Sequence, residues 1–134
     1  MAEGEPQPRS APRWRGGCHC GAVRFAVDGE IGEVVECNCS ICTRKGFLHW
    51  IVSADRFRLE TPREALSVYR FGTGVAQHLF CATCGIASFY VPRSHPDGVD
   101  VNVRCLDGVD LAALRIVPFD GRHWDEAIGS LRTR

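Results

Sequence analysis

The chain has 134 residues, of which 45% are hydrophobic and 24% charged, a composition typical of one globular domain. Basic and acidic residues number 16 each, so no strong net charge attracts the chain to nucleic acid or to an anionic membrane. No apolar run reaches the roughly 20 residues of a membrane span, and the N-terminus lacks the apolar centre of a secretory signal. We therefore expect a cytoplasmic protein without membrane contact.

Residues 1–15 are expected to form a disordered N-terminal tail, and residues 16–134 a single zinc-binding domain. The tail holds three prolines and three arginines and almost no apolar side chains before Trp14. Such a segment cannot bury enough surface to offset the entropy that it would lose on ordering.

Short segments with alternating or β-branched residues predict a mainly β domain. The predicted strands are 22–27, 34–37, 47–53, 66–71, 75–80, 86–91 and 99–103, with a possible edge strand at 57–59. Residues 43–46 are interpreted as a polar turn that ends in a glycine. Helix is predicted only near the C-terminus, at 110–114 and 124–128, so we expect one or two short helices there.

Two cysteine pairs predict a closed metal site. Residues i and i+2 of a strand point to the same face, so Cys18 and Cys20 can present both sulfurs to one ion. Cys81-x-x-Cys84 with Gly85 behind it is typical of a zinc knuckle. Four thiolates leave no open position, which indicates a structural zinc. Disulfides, or buried cysteines without metal, are the alternatives, and reduced thiols in the expected compartment favour the metal.

A third cysteine group, Cys37, Cys39 and Cys42, supplies three thiolates within six residues. Three protein ligands with one open position are typical of catalytic zinc. A closed site with His49 or His78 as fourth ligand is the alternative, and either histidine can also be a hydrogen-bonded wall residue. The spacing alone does not decide which of the three cysteine groups share an ion.

The remaining histidines and the eighth cysteine carry no metal prediction. His19 is expected to point away from its neighbouring cysteines, and His95 and His123 to lie at the surface. Cys105 has no partner nearby in sequence and is interpreted as a buried apolar residue.

Three motifs resemble one known family, the glutathione-dependent formaldehyde-activating enzyme or centromere protein V family. They are the segments Gly17-Cys18-His19-Cys20-Gly21-Ala22-Val23-Arg24-Phe25, Cys37-Asn38-Cys39-Ser40-Ile41-Cys42 and Phe80-Cys81-Ala82-Thr83-Cys84-Gly85. The stretches 89–94 and 105–107 are more similar to the centromere protein V branch. The resemblance implies an Mss4-like arrangement of short antiparallel sheets with two zinc ions per chain. It assigns the structural zinc to Cys18, Cys20, Cys81 and Cys84, and the second zinc to the other three cysteines.

The resemblance also implies a reaction, the addition of a small thiol such as glutathione to an aldehyde, giving S-(hydroxymethyl)glutathione from formaldehyde. In reverse this is a carbon–sulfur lyase step. His49 or His78 is a candidate for supplying the proton that the new alkoxide needs. The alternative function is a zinc-binding interaction module of the centromere protein V type without catalysis, and thiol or metal sensing at Cys37–Cys42 is a further one.

Overall fold

The structure, a computed structural model, describes residues 12–132, with side chains to residue 128. The expectation of a disordered tail falls for the most part on residues 1–11, which lie outside the described residues. Ten strands and two α-helices follow one another, joined by loops and short 3-10 turns. They are β1 Trp14–Gly17, β2 Arg24–Val27, β3 Glu33–Cys37, α1 Ser40–Lys45, β4 Leu48–Ser53, β5 Phe57–Leu59, β6 Leu66–Tyr69, β7 His78–Cys81, β8 Phe89–Tyr90, β9 Gly98–Asn102, β10 Arg115–Phe119 and α2 Trp124–Arg132.

The strands form three sheets. The orders are β1-β2-β5, β10-β3-β4-β9-β8 and β6-β7, and every neighbouring pair is antiparallel except β3 with β10. Among the described residues, no helix combines the length and apolar character that crossing a bilayer requires. The predicted fold class, a mainly β domain of short antiparallel sheets with a short C-terminal helix, is confirmed.

The five-stranded sheet separates the main core from a cavity. Successive residues of a strand point to opposite faces, so each strand contributes to both sides. One face carries the main core, in which Phe25, Val34 and Val101 are fully buried. Each such side chain contributes about 1.5–3 kcal/mol by leaving water. The opposite face packs Val35 and Phe119 with α2 and forms the floor of the cavity described below.

Several local features differ from the sequence predictions. The strand β1 begins at Trp14, before the expected domain boundary at residue 16. The supposed turn at 43–46 is the second half of helix α1 and its glycine cap. The strand expected at 86–91 shortens to Phe89–Tyr90, and the helix expected at 110–114 is a 3-10 turn over Leu111–Ala113. Strand β10 was not predicted, since Pro118 and a charged start hide its alternation.

Candidate metal centre

The sulfurs of Cys18, Cys20, Cys81 and Cys84 form one cluster, all within 4.8 Å of one another. The Sγ–Sγ distance is 3.7 Å from Cys18 to Cys20 and 3.6 Å from Cys20 to Cys81. Four sulfurs at the Zn–S bond length of about 2.3 Å around a tetrahedral ion would be about 3.8 Å apart. The two pairs that the sequence predicted therefore meet, although more than 60 residues separate them.

Backbone N–H groups favour the thiolate form of two of these residues, Cys81 and Cys84. Thr83 and Cys84 donate to the Cys81 Sγ at 3.3 and 3.4 Å. The backbone N–H groups of Ile86 and Cys20 lower the pKa of the Cys84 thiol to about 6. Gly85 has φ +81°, a conformation that favours glycine at the end of the knuckle. This donor set fits a structural zinc.

The second sulfur cluster lies where β3 passes into α1. Cys37 ends the strand, Cys39 is the N-cap of the helix, and Cys42 lies in its first turn. The Cys39 sulfur accepts the Cys42 backbone N–H at 3.4 Å, and the three sulfurs are within 4.8 Å of one another. Over the described part of the chain, this cluster contains three donors and includes neither His49 nor His78.

The three thiols of this cluster share negative charge unequally. Thiol hydrogen bonds from Cys37 and then Cys42 lower the pKa of Cys39 to about 2. Thiol hydrogen bonds with Cys37 and then Cys39 raise the pKa of Cys42, which is 7% exposed. Three thiols that compete for one charge are a donor set that a divalent, thiophilic ion such as zinc satisfies.

Gly121 lies directly against the second cluster. A Cβ atom built on it would be 2.3 Å from the Cys37 Sγ and 3.0 Å from the Cys39 Cβ. The backbone at residue 121 therefore forms part of the wall around the sulfurs, and only glycine leaves them in place.

The second cluster opens into a cavity of about 190 Å³. All three sulfur-bearing residues line it, as do Val35 and Phe119 from the floor of the sheet. None of the four cysteines of the first cluster lines it. The two candidate metal sites thus differ in kind: one has four donors, and the other has three donors and faces an empty volume.

His49 and Asp100 form a buried pair on the floor of this cavity. His49 Nδ1 lies 2.7 Å from Asp100 Oδ2, with side chains 4% and 2% exposed. The two residues sit on neighbouring strands β4 and β9, in which Ile51 is paired with Asp100 and His49 with Asn102. His49 Nε2 and Asp100 Oδ1 have no hydrogen-bond partner within the described residues.

His78 lies in another part of the cavity wall and has a different partner. Its Nδ1 is 3.2 Å from the Lys45 Nζ, and its ring stacks on Tyr90 and on Phe71 at 5.0 and 5.1 Å between centroids. Burial, followed by the charge of Lys45, lowers the pKa of His78 to about 4. Burial also raises the pKa of Tyr90, which therefore stays a neutral phenol.

The sequence interpretation missed several cavity residues. Asp100, Tyr90, Arg93 and Gly121 all line the cavity. Arg93 lies 3.6 Å from the Trp124 ring centroid and 3.7 Å from the Asp125 carboxylate. Among the described residues that line the cavity it is the one lysine or arginine. The alternation of strand β9 marked Asp100 as facing the side opposite Val99 and Val101, but not that this side holds a cavity.

The other cysteine and histidines lie outside the cavity. Cys105 is half-buried, with its sulfur 3.9 Å from the Ala87 carbonyl oxygen, and burial raises its pKa. His123 is exposed, as expected, and His19 is exposed as well, whereas His95, which was expected at the surface, is partly buried. His123 donates to the Asp120 carboxylate through Nδ1 at 2.7 Å.

Comparison with known proteins identifies relatives of most of the described domain. The family model described as glutathione-dependent formaldehyde-activating enzyme matches residues 13–118. A crystal structure of a Rhodobacter sphaeroides protein is 39% identical, with a TM-score of 0.71. The match covers 78% of this chain and 97% of that one.

Proposed function

Because the chain belongs to the glutathione-dependent formaldehyde-activating enzyme family, we propose that it is a zinc-dependent enzyme of the carbon–sulfur lyase type. It would join a small thiol to an aldehyde, as glutathione and formaldehyde join to S-(hydroxymethyl)glutathione, and split the same adduct in reverse. The eight cysteines, all free, suit a reducing compartment such as the cytoplasm.

The observation that carries this proposal is the three-sulfur cluster that faces the cavity. Cys37, Cys39 and Cys42 would hold a catalytic zinc, and the four cysteines of the first cluster a structural zinc, giving two Zn²⁺ per chain. Zinc held by these three thiolates would supply a fourth position, at which a thiol sulfur would ionise near neutral pH. The absence of His49 and His78 from the cluster supports an open position rather than a closed one.

The cavity limits which part of a substrate is enclosed. Its volume of about 190 Å³ is the volume that about six water molecules occupy in the liquid. Pockets for drug-sized ligands usually measure about 300–1,000 Å³. The enclosed part of the substrate would therefore be the sulfur with its methylene and the one-carbon aldehyde, while the remainder of the thiol compound lies at the mouth.

The two buried histidines are suited to handle the proton. The ammonium of Lys45 can only donate, so the His78 Nδ1 accepts, and the proton of this neutral ring is on Nε2. His78 would donate that Nε2–H to the aldehyde oxygen as charge develops there, a contribution that in enzymes reaches about 10²–10³-fold. His49, with its unpartnered Nε2, would accept the proton of the substrate thiol and pass it to the aldehyde oxygen.

Direct measurement of adduct exchange by NMR tests the proposal. Zinc-loaded protein is expected to accelerate formation and breakdown of the hydroxymethyl adduct of glutathione. Cys39→Ser is expected to abolish the acceleration and to lower the zinc content from two ions to one. Cys105→Ser removes a half-buried cysteine from outside both clusters and is the matched control, with zinc and rate unchanged.

The outcome that contradicts the proposal is equally clear. Protein with two zinc ions that leaves the exchange rate of glutathione and of several smaller thiols at the uncatalysed value would not be an enzyme of this type. The chain would then act as a zinc-stabilised interaction module.

A further inference from the structure

The buried His49–Asp100 pair contains two polar atoms that the described part of the protein leaves unsatisfied. They are the His49 Nε2 and the Asp100 Oδ1. A buried polar atom without a partner destabilises the folded protein, because it has lost its hydrogen bonds to water. Both residues line the cavity, so a ligand that enters it can supply the missing hydrogen bond. The pair is therefore suited to meet a substrate rather than only to join two strands.

The chemistry of the partner fixes the state of the His49 ring. An ionised carboxylate only accepts hydrogen bonds, so the Nδ1 that lies 2.7 Å from Asp100 must carry a proton. In the neutral ring Nε2 then has a lone pair and acts as an acceptor. His78 has the opposite arrangement, since its Nδ1 faces the Lys45 ammonium at 3.2 Å, which leaves the ring proton on Nε2. One cavity thus holds an acceptor imidazole and a donor imidazole.

We propose that Asp100 is a positioning residue, which holds His49 with Nε2 as the proton acceptor for the thiol group of the substrate. This inference rests on the proposed function. The thiol proton moves to His49 Nε2, the sulfur forms the bond to the aldehyde carbon, and the C=O π electrons move to the oxygen. Nε2 then returns the proton to that oxygen, so His49 and Asp100 end as they began and no further reactant is needed.

The Asp100 carboxylate has a second effect on this transfer. At 2.7 Å from Nδ1, its negative charge stabilises the imidazolium that exists between the two proton movements. Both side chains are removed from water, which strengthens that interaction. The hydrogen bond also holds the His49 ring in one orientation. The Phe47 and Tyr90 rings, with centroids 4.6 and 5.8 Å from that of His49, pack against it and support that orientation.

The first test measures the His49 tautomer without any substrate. Long-range ¹H–¹⁵N NMR of the zinc-loaded protein is expected to find the proton on Nδ1 and none on Nε2. In Asp100→Asn the Nδ1 signal is expected to shift or the proton to move to Nε2. A wild-type ring protonated on Nε2 alone would overturn the proposal, whatever the activity.

The second test separates positioning from structure by kinetics. Asp100→Asn is expected to lower kcat by about 10²–10⁴, the usual contribution of a general base, while KM for glutathione changes little. His49→Gln should lower kcat equally, and the double variant no further, because the two residues act as one unit. Asp107→Asn, the same change in an exposed ion pair with Arg24, is the control.

Zinc content and circular dichroism accompany each variant. If Asp100→Asn loses zinc or fails to fold, His49→Gln with two zinc ions bound decides, and full kcat in that variant would overturn the proposal. If the wild type is active and a folded Asp100→Asn variant is fully active, the proposed role of Asp100 is refuted and the proposed function is not. An inactive wild type would instead refute the proposed function.

Discussion

Substitution of Gly121 by alanine is expected to remove the second zinc and leave the first. The new Cβ would be 2.3 Å from the Cys37 Sγ, whereas non-bonded heavy atoms pack at about 3.5–4.0 Å. The sulfur, or the backbone at residue 121, must therefore move by more than about 1 Å. Zinc sites tolerate only about 0.2 Å in ligand distances.

The size of the effect follows from the loss of one ligand in three. Variants that disturb only the partners of a ligand reduce metal affinity about 10–100-fold. Displacement of Cys37 itself should therefore lower the affinity of the second site by at least that factor. The first site shares no residue with the second, so its zinc should remain.

Chelator competition measures this effect. Zinc-loaded wild type and Gly121→Ala are titrated with a chromophoric chelator, and we expect two tightly held ions in the first and one in the second. Gly32→Ala is the matched control, since a Cβ at residue 32 meets nothing within 4 Å and the backbone φ there is not positive. A Gly121→Ala protein that retains both ions at wild-type affinity would refute the steric argument.

Three further variants test other parts of the structure. Cys20→Ser is expected to release the first zinc. Structural zinc commonly supplies about 10–16 kcal/mol of folding free energy, so the variant should lose at least about 3 kcal/mol of stability, or roughly 10 °C in Tm. Thermal unfolding and zinc content measure these two losses. His78→Gln should remove a pH dependence of stability, because the pKa of His78 is about 4 in the folded protein and 6.5 in the unfolded chain. The free energy of unfolding of the wild type should therefore fall by up to about 3 kcal/mol as the pH drops from about 6.5 to about 4. Urea unfolding at pH 7 and pH 4 should find a smaller difference in the variant. Arg93→Met should raise KM for glutathione by about 10–100-fold, because the variant loses a charge-assisted hydrogen bond from Arg93 to a carboxylate of glutathione. KM for 2-mercaptoethanol, which has no carboxylate, should stay unchanged. An equal rise for both thiols would mean that Arg93 only holds Trp124 in place.

The cysteine clusters could be predicted because their geometry is largely local. A Cys-x-Cys in an extended segment and a Cys-x-x-Cys in a turn each aim two sulfurs to one side, wherever the rest of the chain lies. Long-range pairing was harder: the two paired spacings favoured a shared site for Cys18, Cys20, Cys81 and Cys84 but left the third cysteine group open, and only the resemblance to a family assigned the four to one ion. The structure confirms that these four sulfurs meet.

Helix α1 escaped prediction although some of its signals are visible. Its six residues include two β-branched ones, Ile41 and Thr43, which are weak helix formers. The basic residues Arg44 and Lys45 in its last turn and Gly46 behind them are typical of a helix end. Its N-cap is a cysteine, Cys39, which few sequence rules expect. The same side chain that begins the helix is a candidate metal ligand.

Asp100, Tyr90 and Arg93 could not be assigned to the site, because strand register determines which residues share a face. Asp100 reaches His49 only because β9 pairs with β4 in the observed register, and Tyr90 is placed opposite Asp100 by β8. A shift of one residue in either pair would turn these side chains into the main core. No local pattern in the sequence indicates which register these strands adopt.

Strand β7 runs from the cavity wall to the first cluster, so we expect a metal ion in the first cluster to affect the cavity. The strand begins at His78, in the wall of the cavity, and ends at Cys81, a member of the first cluster. At about 3.4 Å per residue the two positions are about 10 Å apart along one extended segment. A zinc ion that fixes Cys81 therefore also limits the movement of the His78 ring against Tyr90. Loss of the first zinc should lower the rate of adduct exchange, even though none of its four ligands lines the cavity.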